Sequence, residues 1–130
     1  MDDRAKNYIR VEPEAIAGFA MIPTAVIEDP QLTAEAKGTW TYLFSRPPGW
    51  KIQRTDLSRR FSGMTFRRLN RVSRELQLAG YLQVHPIKME DGRFAGWRWL
   101  VGAQRHPEWA ETARTKFRVQ EEVSACQENE

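Results

Sequence analysis

The sequence predicts a mainly α-helical α+β fold with one small β-hairpin and a C-terminal helix. Three observations lead to this prediction. Residues 64–82 place leucines and arginines on opposite faces of a helix, at about 100° per residue. A short turn at Ser62-Gly63 separates this helix from a shorter one before it. Two strand-like runs flank the turn-forming residues 90–93, where Asp-Gly suits a type I′ hairpin turn.

Residue preferences place the individual elements. The expected helices cover residues 23–27, 33–45, 54–61, 65–79 and 107–119, and the expected strands cover residues 81–89 and 94–101. Thr33 is suited to cap the second helix, and Gly80 is suited to end the fourth. We expect three parts: an irregular leader at residues 1–20 with a short strand at residues 8–11, a main domain at residues 21–103, and an amphipathic helix with a frayed tail at residues 104–130.

Apolar residues at helical and strand spacing predict the hydrophobic core. Its expected members are Trp40, Leu43, Leu57, Leu69, Leu76 and Leu82. Trp50, Trp97 and Trp99 also lie in apolar patterns, so we expect them to be core residues rather than platforms on which nucleobases stack.

The composition suits a single domain, because 130 residues are enough for one compact core. The net charge is only +3, but residues 51–81 hold eight basic and two acidic residues, a local net charge of +6. Such a concentration of charge is typical of a surface that binds a polyanion. The single Cys126 rules out an intramolecular disulfide, and no apolar signal region or membrane span is visible. We therefore expect a cytoplasmic protein without a membrane partner.

The arginine face of residues 64–82 is the strongest functional feature. Arg67, Arg71 and Arg74 fall on one side, opposite the leucines, with Arg68 and Asn70 beside them. Guanidinium groups can contact phosphates and guanine edges, so this helix is typical of a DNA recognition helix. The alternative is a solvated surface on which Arg71 or Arg74 pairs with Glu75 or Asp56.

The order of several short motifs resembles a winged helix-turn-helix family that is common in phages, plasmids and other mobile elements, and is similar to the N-terminal domains of phage replication proteins. The resemblance covers residues 21–101. Its motifs are Ile22-Pro23, Asp29-Pro30, Leu32-Thr33, Ala36-Lys37-Gly38, Tyr42-Leu43, Gly49-Trp50, Leu57, Arg74-Glu75-Leu76 and Ala79-Gly80-Tyr81-Leu82.

The resemblance implies that residues 65–79 enter the major groove and that the hairpin is a wing whose tip, Asp91-Gly92-Arg93, touches the DNA backbone or the minor groove. It also implies phosphate contacts from the preceding helix. The candidate DNA-binding residues are Arg54, Arg59, Arg60, Arg67, Arg68, Asn70, Arg71, Arg74 and Arg93.

The C-terminal helix carries an apolar stripe of Trp109, Ala113 and Phe117. This stripe either packs back on the domain or forms a dimer interface, and we expect a homodimer that contacts two DNA half-sites.

No cluster of histidine, cysteine and carboxylate side chains has the spacing of a metal or catalytic site, so we expect neither an enzyme nor a cofactor. The leading hypothesis is a protein that binds double-stranded DNA and regulates transcription or replication of a phage or other mobile element. The rival hypothesis is an interaction module that docks on a host protein complex, such as a defence or replication machine. Basic surfaces also bind acidic proteins, so the sequence alone does not separate the two.

Overall fold

The computed structural model describes residues 9–13, 18, 20–51 and 53–128. Within these residues the fold is α+β, with five helices and one two-stranded antiparallel sheet. The elements are α1 Thr24–Ile27, α2 Ala34–Phe44, α3 Arg54–Arg60, α4 Phe66–Ala79, β1 Leu82–Lys88, β2 Phe94–Val101 and α5 Pro107–Glu128. The expected order of elements is confirmed. The strand expected at residues 8–11 begins outside the described residues, and residues 9–11 form no strand.

Local hydrogen bonds fix the ends of the helices. Thr33 Oγ1 accepts from the amide of Ala36 at 3.2 Å at the start of α2, as the sequence predicted. Thr65 Oγ1 accepts in the same way from the amide of Arg68, also at 3.2 Å, at the start of α4. Gly80 ends α4 with a φ of 86°, a left-handed conformation that glycine adopts without steric cost. Helix α4 therefore has defined boundaries at both ends.

Two adjoining clusters of buried side chains form the core. The larger lies between α1, α2, α4 and the start of the hairpin, and the smaller joins α3, the following turn and α4. Trp40 is fully buried, and its Nε1 donates to the carbonyl of Gly102 at 3.0 Å. Trp99 packs against both clusters. The predicted core is confirmed for Trp40, Leu57, Leu69, Leu76 and Leu82, whereas Leu43 is only half-buried at the edge of the smaller cluster.

The hairpin differs from the expected type I′ turn. That turn needs a positive φ at both central residues, and of Asp91 and Gly92 only Gly92 has one. The Gly92 amide donates to the carbonyl of Met89, and the Met89 amide donates to the carbonyl of Arg93. The Asp91 carboxylate accepts from the Arg93 amide at 3.0 Å, a local bond that competes with the tight turn. The result is a loop of three residues with Gly92 in the left-handed position.

Helix α5 packs along α4 and against the start of β1. It is longer than expected. The His106 amide donates to the carbonyl of Gly80 at 2.9 Å, and a Cβ on Gly80 would lie 2.5 Å from the His106 carbonyl oxygen. The end of α4 and the start of α5 are therefore in direct backbone contact, which requires glycine at position 80.

Candidate nucleic-acid interface

Helices α3 and α4 are joined by a five-residue turn whose geometry comes from a small apolar cluster. Leu57 of α3, Met64 of the turn and Leu69 of α4 are buried together. The Met64 amide donates to the carbonyl of Phe61 at 3.1 Å, and Gly63 has a φ of 74°. This arrangement fixes α4 against α3, so that the arginine side of α4 faces outward.

The predicted direction of the arginines is confirmed. Leu69, Val72 and Leu76 are buried, whereas the candidate polar residues on the other side of α4 are all exposed. These exposed residues are Arg67, Arg68, Asn70, Arg71 and Arg74. The helix thus presents a continuous basic strip to its surroundings.

Glu35 in the first turn of α2 pairs with two arginines of this strip. Arg71 Nη2 donates a hydrogen bond to Glu35 Oε2 at 2.8 Å. Arg68 Nε lies 2.8 Å from Glu35 Oε1 as an ion pair, while Arg68 Nη1 donates to the carbonyl of Gly63 at 2.7 Å. In the sequence, Glu35 is recognisable only as an acidic residue in the first turn of α2. Glu35 and Arg71 are 36 positions apart in the sequence, which explains why no local pattern indicated this pair.

Arg74 is held by α5. Its Nη2 donates to Glu121 Oε1 at 2.6 Å, and its guanidinium lies 4.8 Å from the centre of the Phe117 ring. A shallow depression beside Arg74 is lined by residues of α5, namely Phe117, Gln120, Glu121, Ser124 and Ala125. The C-terminal helix therefore borders the candidate interface directly.

The partners that the sequence suggested for the arginines are wrong. Glu75 accepts from both the amide and the hydroxyl of Thr33, at 2.7 and 2.9 Å, and so anchors the start of α2. Asp56 accepts from the amide of Gln53 at 3.1 Å and caps α3. Both carboxylates serve helix ends, and the arginines pair with acidic residues much farther away in the sequence.

The remaining candidates lie around this strip. Arg54 Nη2 donates to Asn70 Oδ1, which joins the start of α3 to the middle of α4. Arg60 lies 5.9 Å from the centre of the Tyr42 ring. Arg93 at the hairpin tip pairs with Asp91 at 2.5 Å. Within the described part of the chain, neither Arg59 nor Arg67 has an ion pair.

The stripe expected to form a dimer has a partner within its own chain. Ala113 is buried, and Trp109 is half-buried with its ring stacked on His106 at 4.0 Å between centres. Phe117 lies under Arg74. The reason for expecting a homodimer through this stripe, an apolar surface without a partner, is therefore removed.

Two tryptophans expected in the core are on the surface. Trp50 and Trp97 are 56% and 57% exposed. Arg46 lies 5.8 Å from the Trp50 ring centre, and Phe94 packs edge-on against Trp97 at 5.2 Å. Both residues lie in apolar sequence patterns, but neither packs against one of the two core clusters.

A polar cluster that the sequence did not predict ties α1 to the start of the hairpin. The Tyr81 hydroxyl donates to Asp29 Oδ2 at 2.9 Å, and Arg105 Nη2 lies 3.0 Å from the same oxygen. A hydrogen bond from the Gln31 amide is the main reason that the pKa of Asp29 lies below its ordinary value, while burial raises the pKa of Tyr81. This cluster joins the segment that follows α1 to the segments that precede β1 and α5.

Comparison with protein-family models, curated proteins and solved structures finds no match to this chain. Among the described residues, none of the helices combines the length and apolar character needed to cross a membrane. In the same part of the chain, no three histidine, cysteine or acidic side chains are grouped so that they could hold a metal ion.

Proposed function

We propose that the chain is a non-enzymatic, winged helix-turn-helix protein that binds double-stranded DNA and regulates transcription or replication of a phage or other mobile element. The observation that carries the proposal is the exposed arginine strip of α4, on a helix whose other side is fixed in the core. A helix about 10 to 12 Å wide fits the major groove of B-DNA. The proposal keeps the cytoplasmic location expected from the sequence.

The candidate residues divide by position. Arg67, Asn70 and Arg71 project from the first half of α4, where a helix that enters the major groove reaches base edges. Arg54, Arg59 and Arg60 lie on α3, which precedes the proposed recognition helix and would cross the backbone. Arg93 at the hairpin tip would contact a phosphate beside the groove. Phosphate contacts fix the orientation, and base contacts provide sequence specificity.

The paired arginines must exchange one anion for another when they bind. Arg71 would leave Glu35, and Arg74 would leave Glu121, in favour of a phosphate or a base edge. The Arg74–Glu121 pair is exposed at both ends, so breaking it costs about 0 to 1 kcal/mol. The Glu35 side chain is only 20% exposed, so the release of Arg71 costs more, although Arg68 stays beside Glu35. A contact with a phosphate at the edge of the groove can offset these costs, so the intramolecular ion pairs are compatible with DNA binding.

The test is a gel-shift titration of genomic DNA fragments with the variant R67A/R71A/R74A. We expect binding to be lost while circular dichroism and thermal unfolding stay near wild type, because all three side chains are exposed. Unchanged affinity would refute the assignment of α4 as the recognition helix.

A charge-matched pair of single variants separates a local contact from general attraction. Arg67 and Arg98 are both exposed, but Arg98 lies on β2 outside the proposed interface. We expect R67A to weaken binding more than R98A and to lower the slope of log affinity against log salt by about 1 if Arg67 contacts a phosphate. If Arg67 contacts a base, the loss should instead depend on the DNA sequence. Equal losses in the two variants would contradict the proposed interface.

A further inference from the structure

The end of the hairpin carries a pair of exposed aromatic side chains, Phe94 and Trp97, which we call the aromatic tip. They are 61% and 57% exposed, and their rings meet at 67° with centres 5.2 Å apart. Trp99, two residues farther along β2, packs against the core, but Trp97 does not belong to either core cluster. The apolar side of the hairpin therefore continues beyond the body of the domain.

Strand register places the aromatic tip on one side of the hairpin. Val84 lies opposite Trp99, Pro86 opposite Trp97, and Lys88 opposite Phe94. A bulge between Ile87 and Lys88 adds one residue to β2, so Phe94 falls on the same side as Trp97 although three positions separate them. The ammonium group of Lys88 thus belongs to the same side as the two rings.

A cation lies on the same side of the hairpin as the aromatic tip. Lys88 is the charged residue of the two strands on that side, because Arg98 lies opposite His85 and therefore on the other side. The turn holds Glu90, Asp91 and Arg93, and the carboxylate of Asp91 is paired with Arg93. Flat apolar rings beside an ammonium group suit single-stranded nucleic acid, whose bases stack on aromatic side chains while its phosphates attract cations. In a fully paired duplex the base faces are covered by their neighbours, so stacking requires unpaired bases.

We propose that the aromatic tip binds unpaired nucleobases, in a single-stranded segment beside the duplex that α4 contacts. The part that concerns the neighbouring duplex rests on the function proposed above, whereas stacking on Phe94 and Trp97 does not. Each stacked base adds affinity with little dependence on sequence, because every base has an aromatic face. The protein would then recognise a junction between paired and opened DNA.

Fluorescence anisotropy with two labelled probes tests the proposal. One probe is a fully paired duplex, and the other is the same duplex with an internal bubble of unpaired thymidines. We expect the wild-type chain to bind the bubble probe about tenfold more tightly or better. The variant F94A/W97A should lose this preference and keep its affinity for the paired duplex, and W97F should retain the preference because it keeps a ring that can stack.

The matched control is I87A. Ile87 is an exposed apolar residue of the same hairpin, but it lies opposite Gly96 and therefore on the other side. We expect this variant to behave as wild type, and circular dichroism of all variants checks the fold. Equal binding of the two probes by the wild-type chain, or an undiminished preference in F94A/W97A, would overturn the proposal. It would also be overturned if light scattering showed a dimer that F94A/W97A dissociates, since a second copy would then cover the rings.

A third probe, a short oligothymidylate, separates this proposal from the function above. We expect F94A/W97A to lose binding of oligothymidylate and R67A/R71A/R74A to retain it. This result would support the aromatic tip even if the paired duplex does not bind and the function proposed above fails. If the chain binds the paired duplex and binds the bubble probe with the same affinity, the proposal for the aromatic tip is wrong. In that case the function above stands and the aromatic tip has no role in it.

Discussion

Replacing Glu121 with glutamine should increase the affinity for double-stranded DNA by releasing Arg74. In the free protein, Arg74 donates to Glu121 Oε1 at 2.6 Å and lies over the ring of Phe117. The side chains of Arg74 and Glu121 are 48% and 66% exposed, so solvent screens this ion pair. Exposed pairs of this kind contribute about 0.2 to 1 kcal/mol, and DNA binding recovers this amount when the carboxylate is absent. The expected gain in affinity is therefore between about 1.4-fold and fivefold.

The adjacent residue provides the control for this prediction. E122Q removes the same charge from an exposed position of α5, and Glu122 has no ion pair within the described residues. Any general weakening of repulsion from DNA should appear in both variants, whereas release of Arg74 should appear in E121Q alone. Anisotropy titrations at low and moderate salt provide the measurement, and the difference should shrink as salt screens the pair.

A double-mutant cycle makes the test specific to Arg74. In the R74A background, E121Q should change the affinity no more than E122Q does. The reasoning is refuted if E121Q and E122Q are equal in the wild-type background, or if the advantage of E121Q persists without Arg74. Either result would mean that Arg74 takes no part in DNA binding or that its pair with Glu121 does not compete with DNA.

Three further predictions concern stability. Leu76 is almost fully buried, so L76A should lower the free energy of unfolding by roughly 2 to 5 kcal/mol in urea titrations, and a loss below about 0.5 kcal/mol would contradict the packing of α4. G80A should cost at least about 1 to 2 kcal/mol, because a left-handed alanine is strained and its Cβ would press on the His106 carbonyl; thermal unfolding measures this, and an unchanged midpoint would be contrary evidence. The lowered pKa of Asp29 means that its contribution to stability is complete at pH values above its ordinary pKa of 3.8 and is lost as the pH falls through its lower folded-state pKa. D29N should therefore flatten the acid side of the stability profile measured by urea unfolding, and an unaltered acid side would contradict this.

The sequence predicted the elements that short-range signals determine. Thr33 as a cap, Gly80 as a helix end and the alternation of leucines with arginines in α4 each involve residues within one or two turns of one another. The burial of Leu69 and Leu76 follows from the same periodicity. Such features can be predicted from the sequence because the interacting groups are close in the chain and depend little on the rest of the fold.

Features that depend on distant partners were not predictable in this way. Glu121 is 47 residues from Arg74, and nothing in either local pattern identifies the other. The apolar stripe of α5 has the same appearance whether it packs on its own chain or on a second copy. Trp97 has the pattern of a core residue, yet its exposure depends on where the hairpin passes the edge of the domain. In each case the outcome depends on which distant part of the chain lies nearby in three dimensions, and the periodicity of the sequence does not determine this.

If α4 binds DNA as proposed, Arg67 should be the arginine of α4 whose contact with DNA costs the least free energy. At about 100° per residue, Arg67 lies between Arg71 and Arg74 on the surface of α4. Arg71 is bound by Glu35 from α2 and Arg74 by Glu121 from α5, so carboxylates hold the arginines on both sides of it. Arg67 has no such pair among the described residues and has nothing to exchange when a phosphate or guanine approaches. R67A should therefore reduce the affinity for DNA more than R71A or R74A does. Arg71 and Arg74 must first leave Glu35 and Glu121, and this cost lowers their net contribution to binding.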